Sequence, residues 1–145
     1  MSGRGATYTL QMLGAVRLWG PDGAPIALSS RRSQALLAML ATAEGGSRAR
    51  SWLYQRLWSS RQMQQAQASL RRELSNLRPM LNGDGCVLRS DRQTVSLDLS
   101  RISTDIAGPL SADKAKQFLD ELDIPDEPEF ADWRKQQRQS LMKDG

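Results

Sequence analysis

The sequence predicts an α+β fold: a small N-terminal antiparallel sheet, three helices, a C-terminal β-hairpin, and a short helical extension behind them. Three observations carry this. Short alternating runs separated by a strong turn fill residues 8–28. Leucine and alanine recur at helical spacing in three segments between 31 and 81. Residues 86–99 then return to alternation around SDRQ.

The elements follow in order. TYTLQMLGAVRLW alternates through Tyr8, Leu10 and Met12, then Val16 and Leu18, with Gly14 interrupting. GPDG at 20–23 turns the chain, and APIALS supplies a third short strand. SSRRSQALLAMLATAEGG is a helix that Ser29 or Ser30 can cap, because a side-chain oxygen accepts the free amides of a first turn. Ala35, Leu36, Met39, Leu40 and Ala43 form its inner face, and Gly45 and Gly46 stop it. SRARSWLYQRLWSS, residues 47–60, reads as a second helix with Leu53, Leu57 and Trp58 inward. Trp52 fits either the core or a partner surface. The third helix spans about 64–81, with Pro79 fraying or kinking its end. NGDGC at 82–86 is a turn, and strands at 86–90 and 94–99 make the hairpin. Behind it come a short helix, ADKAKQFLDEL, an acidic connector, DIPDEPEF, and a last helix from FADWRKQQRQSLMKDG. That last helix leaves Trp133 and Leu141 on an incomplete apolar face.

Composition narrows the function. The chain has 145 residues, 39% hydrophobic and 25% charged, which suits a water-soluble globular protein with room for a real core. No apolar run approaches the roughly 20 residues a membrane helix needs, and MSGRGATYTL lacks a secretory signal, so a cytoplasmic location is expected. There is one cysteine, Cys86, and no histidine. That removes an internal disulfide, the usual metal-ligand spacings and the usual general base near neutral pH. There is no glycine-rich phosphate loop and no G-x-S-x-G motif. The sequence argues against an enzyme, and it implies no cofactor, metal or small-molecule substrate.

Charge placement is more informative than the net +4. Residues 1–100 hold 13 Arg, no Lys and 6 acidic residues, a net +7. Residues 101–145 hold 7 basic and 10 acidic residues, a net −3. A basic polyanion-binding part of about 7–100 followed by a different, acidic unit of 101–145 is the simplest organisation. A coding bias toward Arg accounts for abundance but not for placement. Arginine suits bidentate recognition of phosphate or guanine.

The third helix concentrates that charge. At about 100° per residue, Ala66, Leu70, Leu74, Leu77 and Leu81 lie within about 40° of one direction. Ala68, Arg72 and Ser75 lie opposite, flanked by Gln64, Arg71 and Arg78. A plain core helix with a solvated back has the same pattern. A coiled-coil seam does not fit, because the spacing covers barely two heptads and lacks paired flanking charges. The small residues Ala68 and Ser75 would let the backbone approach a surface closely, and a major groove about 12 Å wide accepts one such helix. A short turn joins the preceding helix to it, and a basic hairpin follows. Three strands, three helices and a hairpin is the order of a winged helix-turn-helix with an N-terminal sheet.

At this point the chain resembles a family. RRSQALLAML (31–40), LYQRLW (53–58), AQASLRRELSNLRPML (66–81), GCVL (85–88) and VSLDLSRISTDI (95–106) are similar to the antibiotic-regulatory-protein (SARP) type of bacterial transcriptional activator. The third segment is the most specific. FLDELDIPDEPEFADWRKQQRQSL (118–141) looks like the start of the helical bacterial transcriptional activation domain of such proteins, so an N-terminal fragment or a truncated orphan is expected. The sequence departs from the family at Ala49, where a capping Ser or Thr is usual and Ser47 is expected to take over. It also departs at Pro79 and at Cys86, which reads as a half-buried strand residue.

The resemblance implies sequence-specific binding of duplex DNA by a transcription regulator, with RNA polymerase as a further partner, a homodimer on direct repeats and a place at the nucleoid. The residues then divide as follows. Gln64, Arg71, Arg72 and Ser75 face the major groove, and Ala68 allows close approach. Arg78, Arg61, Arg48 and Arg50 are phosphate candidates, as is the helix start at Arg31 and Arg32. Arg89, Arg92 and Gln93 form the wing contact. The rival expectation is a winged-helix interaction module that no longer reads DNA and docks through the acidic tail and Trp133. Truncation at 100 is expected to separate the two.

Overall fold

Strands β1 (Tyr8–Gln11), β2 (Arg17–Trp19) and β3 (Pro25–Ile26) pair antiparallel as expected. Tyr8, Leu10 and Leu18 turn into the core while Thr9 and Arg17 face solvent, which is the period of two that the sequence carries. The computed structural model describes residues 7–28, 30–83, 86–106 and 109–143, without the Lys143 side chain. Ser29 and two residues of the NGDGC turn, 84 and 85, lie outside the described residues.

A fourth strand, β7 (Ile102–Thr104), completes this sheet by pairing parallel to β1, giving the order β3-β2-β1-β7. Three residues are too few for a periodic signal, and the partner residues, such as Tyr8 for Ile102, lie far away in the chain. Asp105 fixes the junction: its carboxylate accepts the Met12 and Leu13 amides at 2.9 and 3.0 Å. The boundary expected at residue 100 therefore cuts between strands of one sheet.

Helix α1 (Arg31–Ala41) starts at Ser30, whose hydroxyl accepts the Ser33 amide while Ser33 reaches back to the Ser30 amide. The next element corrects the sequence reading. Residues Ser47–Ala49 are a strand, β4, and only Arg50–Leu57 form helix α2. β4 pairs with β6 (Thr94–Leu97), which pairs in turn with β5 (Leu88–Ser90). Gly46, at φ 74°, directs the chain against the Leu97 carbonyl, and the Ser47 hydroxyl meets that of Ser96 at 2.7 Å. Ser47 thus does not cap α2. Ala49 holds the cap position with no side-chain bond.

Helix α3 (Met63–Leu81) buries Ala66, Leu70, Leu74, Leu77 and Leu81, the expected stripe. Each leucine withdrawn from water contributes about 1.5–3 kcal/mol before chain entropy is set against it. The helix runs through Pro79, because Leu81 is buried beyond it and Asn82 ties the end to β5. The Asn82 amide donates to Leu88 O at 2.9 Å, and its oxygen accepts the Leu88 amide at 2.8 Å.

The extension packs on the same core. Helix α4 (Ala112–Lys116) ends six residues earlier than the ADKAKQFLDEL pattern suggests, where Leu119 turns left-handed at φ 55°. The Leu119 amide donates to Met12 O at 2.8 Å. Helix α5 (Pro128–Lys143) brings Trp133, 6% exposed, against Trp52, Phe118 and Phe130, with ring centroids 5.9–6.1 Å apart. Its apolar face is covered: Trp133 is core, and Leu141 packs against the core half-buried. Phe118, Leu122 and Phe130 share one hydrophobic cluster with Leu10, Leu36 and Leu74. Truncation at 100 would strip β7 and these aromatics, so it tests folding before it tests binding.

Candidate nucleic-acid interface

The outer surface of α3 presents Gln64, Arg71, Arg72 and Ser75 to solvent, with Ala68 half-buried between them. Three open clefts border this helix: one of about 460 Å³ lies over Ala68 between Arg61 and Arg72, and the other two flank it. The larger, about 550 Å³, lies between α3, the start of α2 and the tip of the β5–β6 hairpin. Arg50, Ser51, Tyr54, Arg71, Arg92 and Gln93 line it. The other, about 390 Å³, is bounded by the start of α1, the α2–α3 turn and residues 124–125, and Arg31, Arg61 and Arg72 line it.

The first cleft is built by joining α2 to the hairpin tip. The Arg50 amide donates to Gln93 O at 2.8 Å, and its Nε donates to Asp91 O at 2.6 Å. The tip is held by Asp91, whose carboxylate accepts the Gln93 and Thr94 amides at 2.8 and 2.7 Å. Those backbone bonds hold the Asp91 carboxyl below its ordinary range. Arg78 donates to the Ser90 hydroxyl, which brings the last turn of α3 to β5.

Burial lowers the Arg50 pKa, and repulsion from Arg78 and Arg71 lowers it further, against the pull of Asp91. An arginine starting so far above neutrality stays charged. The shift therefore reports burial first, and neighbouring positive charge from Arg78 and Arg71 second. Among the described residues, the side-chain salt bridges are Arg32–Glu127 at 2.7 Å and Arg138–Asp120 at 3.8 Å. Arg50, Arg61, Arg71, Arg72, Arg78 and Arg92 have none within the described residues. Such a surface attracts a polyanion and repels a second basic surface.

The structure brings Arg50, Arg71, Arg92 and Gln93 together on one flank, with Arg78 nearby but tied to Ser90, and Arg31, Arg61 and Arg72 on the other. Three expected members differ, although Arg32 still lines the second cleft beside Arg31, Arg61 and Arg72. Arg32 donates through Nε to Leu57 O at 2.6 Å and pairs with Glu127, so its guanidinium is an internal tie. Arg48 donates to Met39 O at 3.0 Å and covers one side of Trp52 at 3.9 Å, while Arg56 covers the ring at 4.0 Å. Burial first, then Arg56, lowers the Arg48 pKa. Trp52 is thereby a half-buried post between two guanidiniums and the Trp133 edge. Arg89 lies on the far face of the hairpin, lining a different cleft with Asp98. Cys86 is exposed, not half-buried, because strand pairing begins only at Leu88.

Tyr54, Ser51 and Gln67 were not singled out by sequence reasoning. Gln67 Nε2 donates to the Tyr54 hydroxyl at 3.5 Å across the first cleft. The available signal was the four-residue spacing of Gln67 before Arg71 and of Arg50 before Tyr54, which puts each pair on one helix side.

Among the described residues, no group of three Asp, Glu, Cys or His side chains could hold a metal ion, and no helix is long and apolar enough to cross a membrane. No protein-family model matches the sequence, and no curated protein matches it. The fold is similar to that of EmbR from Mycobacterium tuberculosis, solved in complex with a low affinity phosphopeptide. The TM-score is 0.64 at 22% identity, over 94% of this chain and 42% of that one. The chain thus spans less than half the length of EmbR, and at this identity the likeness is one of fold.

Proposed function

We propose that the chain binds duplex DNA as the winged helix-turn-helix part of a SARP-type bacterial transcription regulator. Helix α3 lies in the major groove, and the β5–β6 hairpin is the wing against the adjacent backbone. The observation that carries this is the convergence of Arg50, Arg71 and Arg92, with no salt bridge to an acidic side chain among the described residues, on an open cleft beside an exposed helix, with Arg78 close enough to Arg50 to repel it. Arg71 and Arg72 reach base edges, with Gln64 and Ser75 beside them. Arg50, Arg61, Arg78, Arg92 and Arg31 neutralise phosphates. Gln93 stays with the wing contact, while Arg32, Arg48 and Arg89 leave the DNA set. The fold shared with EmbR supports the family reading.

As an activator of this type, it would meet RNA polymerase and bind direct repeats as a dimer in the bacterial cytoplasm. The interaction-module reading is weaker, because its docking anchor, Trp133, is buried. The decisive experiment is selection from a random duplex pool with the purified chain, followed by binding titrations. Enrichment of a repeated motif and affinity that falls steeply with salt support the proposal. Absence of binding to any duplex at low salt refutes it.

A further inference from the structure

A buried carboxylate from the acidic extension reaches the turn that aims α3. Glu127, 4% exposed, lies in the connector just before α5. Its Oε2 accepts Arg32 Nη2 at 2.7 Å. Its Oε1 accepts the Ser59 amide at 3.0 Å and the Ser59 hydroxyl at 2.7 Å. Arg32 also donates to Leu57 O, and its guanidinium lies 5.7 Å from the Trp58 ring centre. One carboxylate therefore ties the first turn of α1 to residues 57–59, the end of α2 and the start of the α2–α3 turn.

Burying a carboxylate is unfavourable unless its oxygens are fully bonded, and here three donors meet it. The preceding residue, Asp126, is left-handed at φ 66°, an uncommon conformation that Asp tolerates better than most residues with a Cβ. The buried carboxylate and this left-handed turn stand side by side where the extension touches the helix pair. The same segment forms the second cleft: Ile124 and Pro125 wall it, and the Asp123 carbonyl accepts Arg31 Nη1 at 3.3 Å.

We infer that Glu127 is a positioning residue for the DNA face: by holding Arg32 and Ser59 it fixes the α2–α3 turn and hence the seat of α3 in the groove. This rests on the DNA reading above. The extension is then part of the reading apparatus even though its own charge is repelled by DNA, and moving it would change sequence preference. Charge and position predict opposite effects. Removing one negative charge by itself tightens binding to every duplex. Loosening the turn weakens binding only where α3 must fit a sequence.

The test uses the full chain and two probes: a duplex that the intact chain enriches from a random pool, and a scrambled duplex of the same composition. Glu127→Gln is expected to weaken binding to the selected duplex about tenfold while leaving the scrambled duplex unchanged or bound more tightly. Ser59→Ala keeps the backbone donor and removes one bond, so it is expected to weaken the selected duplex about threefold. If circular dichroism shows that Glu127→Gln does not fold, Ser59→Ala carries the test alone. An unchanged ratio of the two affinities in the folded variants overturns the inference and leaves the DNA reading intact. If the intact chain enriches no duplex, the DNA reading itself fails, and this inference with it.

Discussion

Arg92→Ala isolates a single phosphate contact. Arg92 lies exposed at the hairpin tip, where Asp91, not Arg92, makes the turn bonds. With no salt bridge among the described residues to break, the substitution should change folding stability by no more than about 0.5 kcal/mol. Its effect on binding then comes from counterion release alone. Each neutralised phosphate contributes a slope of about −0.9 to log affinity against log salt. Losing one weakens binding about eightfold at 0.1 M salt and about threefold at 0.3 M, and the difference vanishes toward 1 M. Fluorescence anisotropy with a labelled duplex between 0.1 and 0.5 M salt measures both slopes. The variant line should be shallower by about one unit, and the loss should be equal on selected and scrambled duplexes. Parallel lines would refute a phosphate contact, and a loss confined to the selected duplex would make Arg92 a base reader.

Arg71→Ala should cost about 1–3 kcal/mol on the selected duplex and relax preference at one base position, which titrations of single-base duplex variants will reveal. Gly46→Ala places a Cβ at φ 74° against the Leu97 carbonyl. The left-handed backbone and the forced shift together should remove about 2–5 kcal/mol, read in a thermal melt. Trp133→Ala should cost about 3–5 kcal/mol of global stability in a single unfolding transition, because its ring joins α5 to Trp52 and Phe118. The hairpin should loosen in acid. Backbone amides hold Asp91 below its ordinary pKa, and the Ser100 hydroxyl does the same for Asp98. Their stabilisation is present above about pH 4 and fades as pH falls through the lower folded values, so Asp91→Asn with Asp98→Asn should flatten acid unfolding followed by circular dichroism.

Most helices, the first sheet and the hairpin were legible in the chain because their signals are local. The stripe from Ala66 to Leu81 needs no partner to be recognised, since period 3.6 is written in the residues themselves. The concentration of arginine before residue 100 was legible for the same reason. Assembly decided the rest. Ser47–Ala49 has the composition of a helix start, yet it is a strand because β6, almost 50 residues away, offers unpaired backbone groups. Ile102–Thr104 becomes a strand only beside β1. The arginines were equal in sequence and became unequal in space. Arg32 and Arg48 found carbonyl, carboxylate and ring partners inside the fold, while Arg71 and Arg92 face one cleft beside Arg50, which the Asp91 carbonyl holds at its edge. The sequence determined how much positive charge and apolar stripe the chain carries. Which charges remain free to act is set by long-range pairing, which no local pattern encodes.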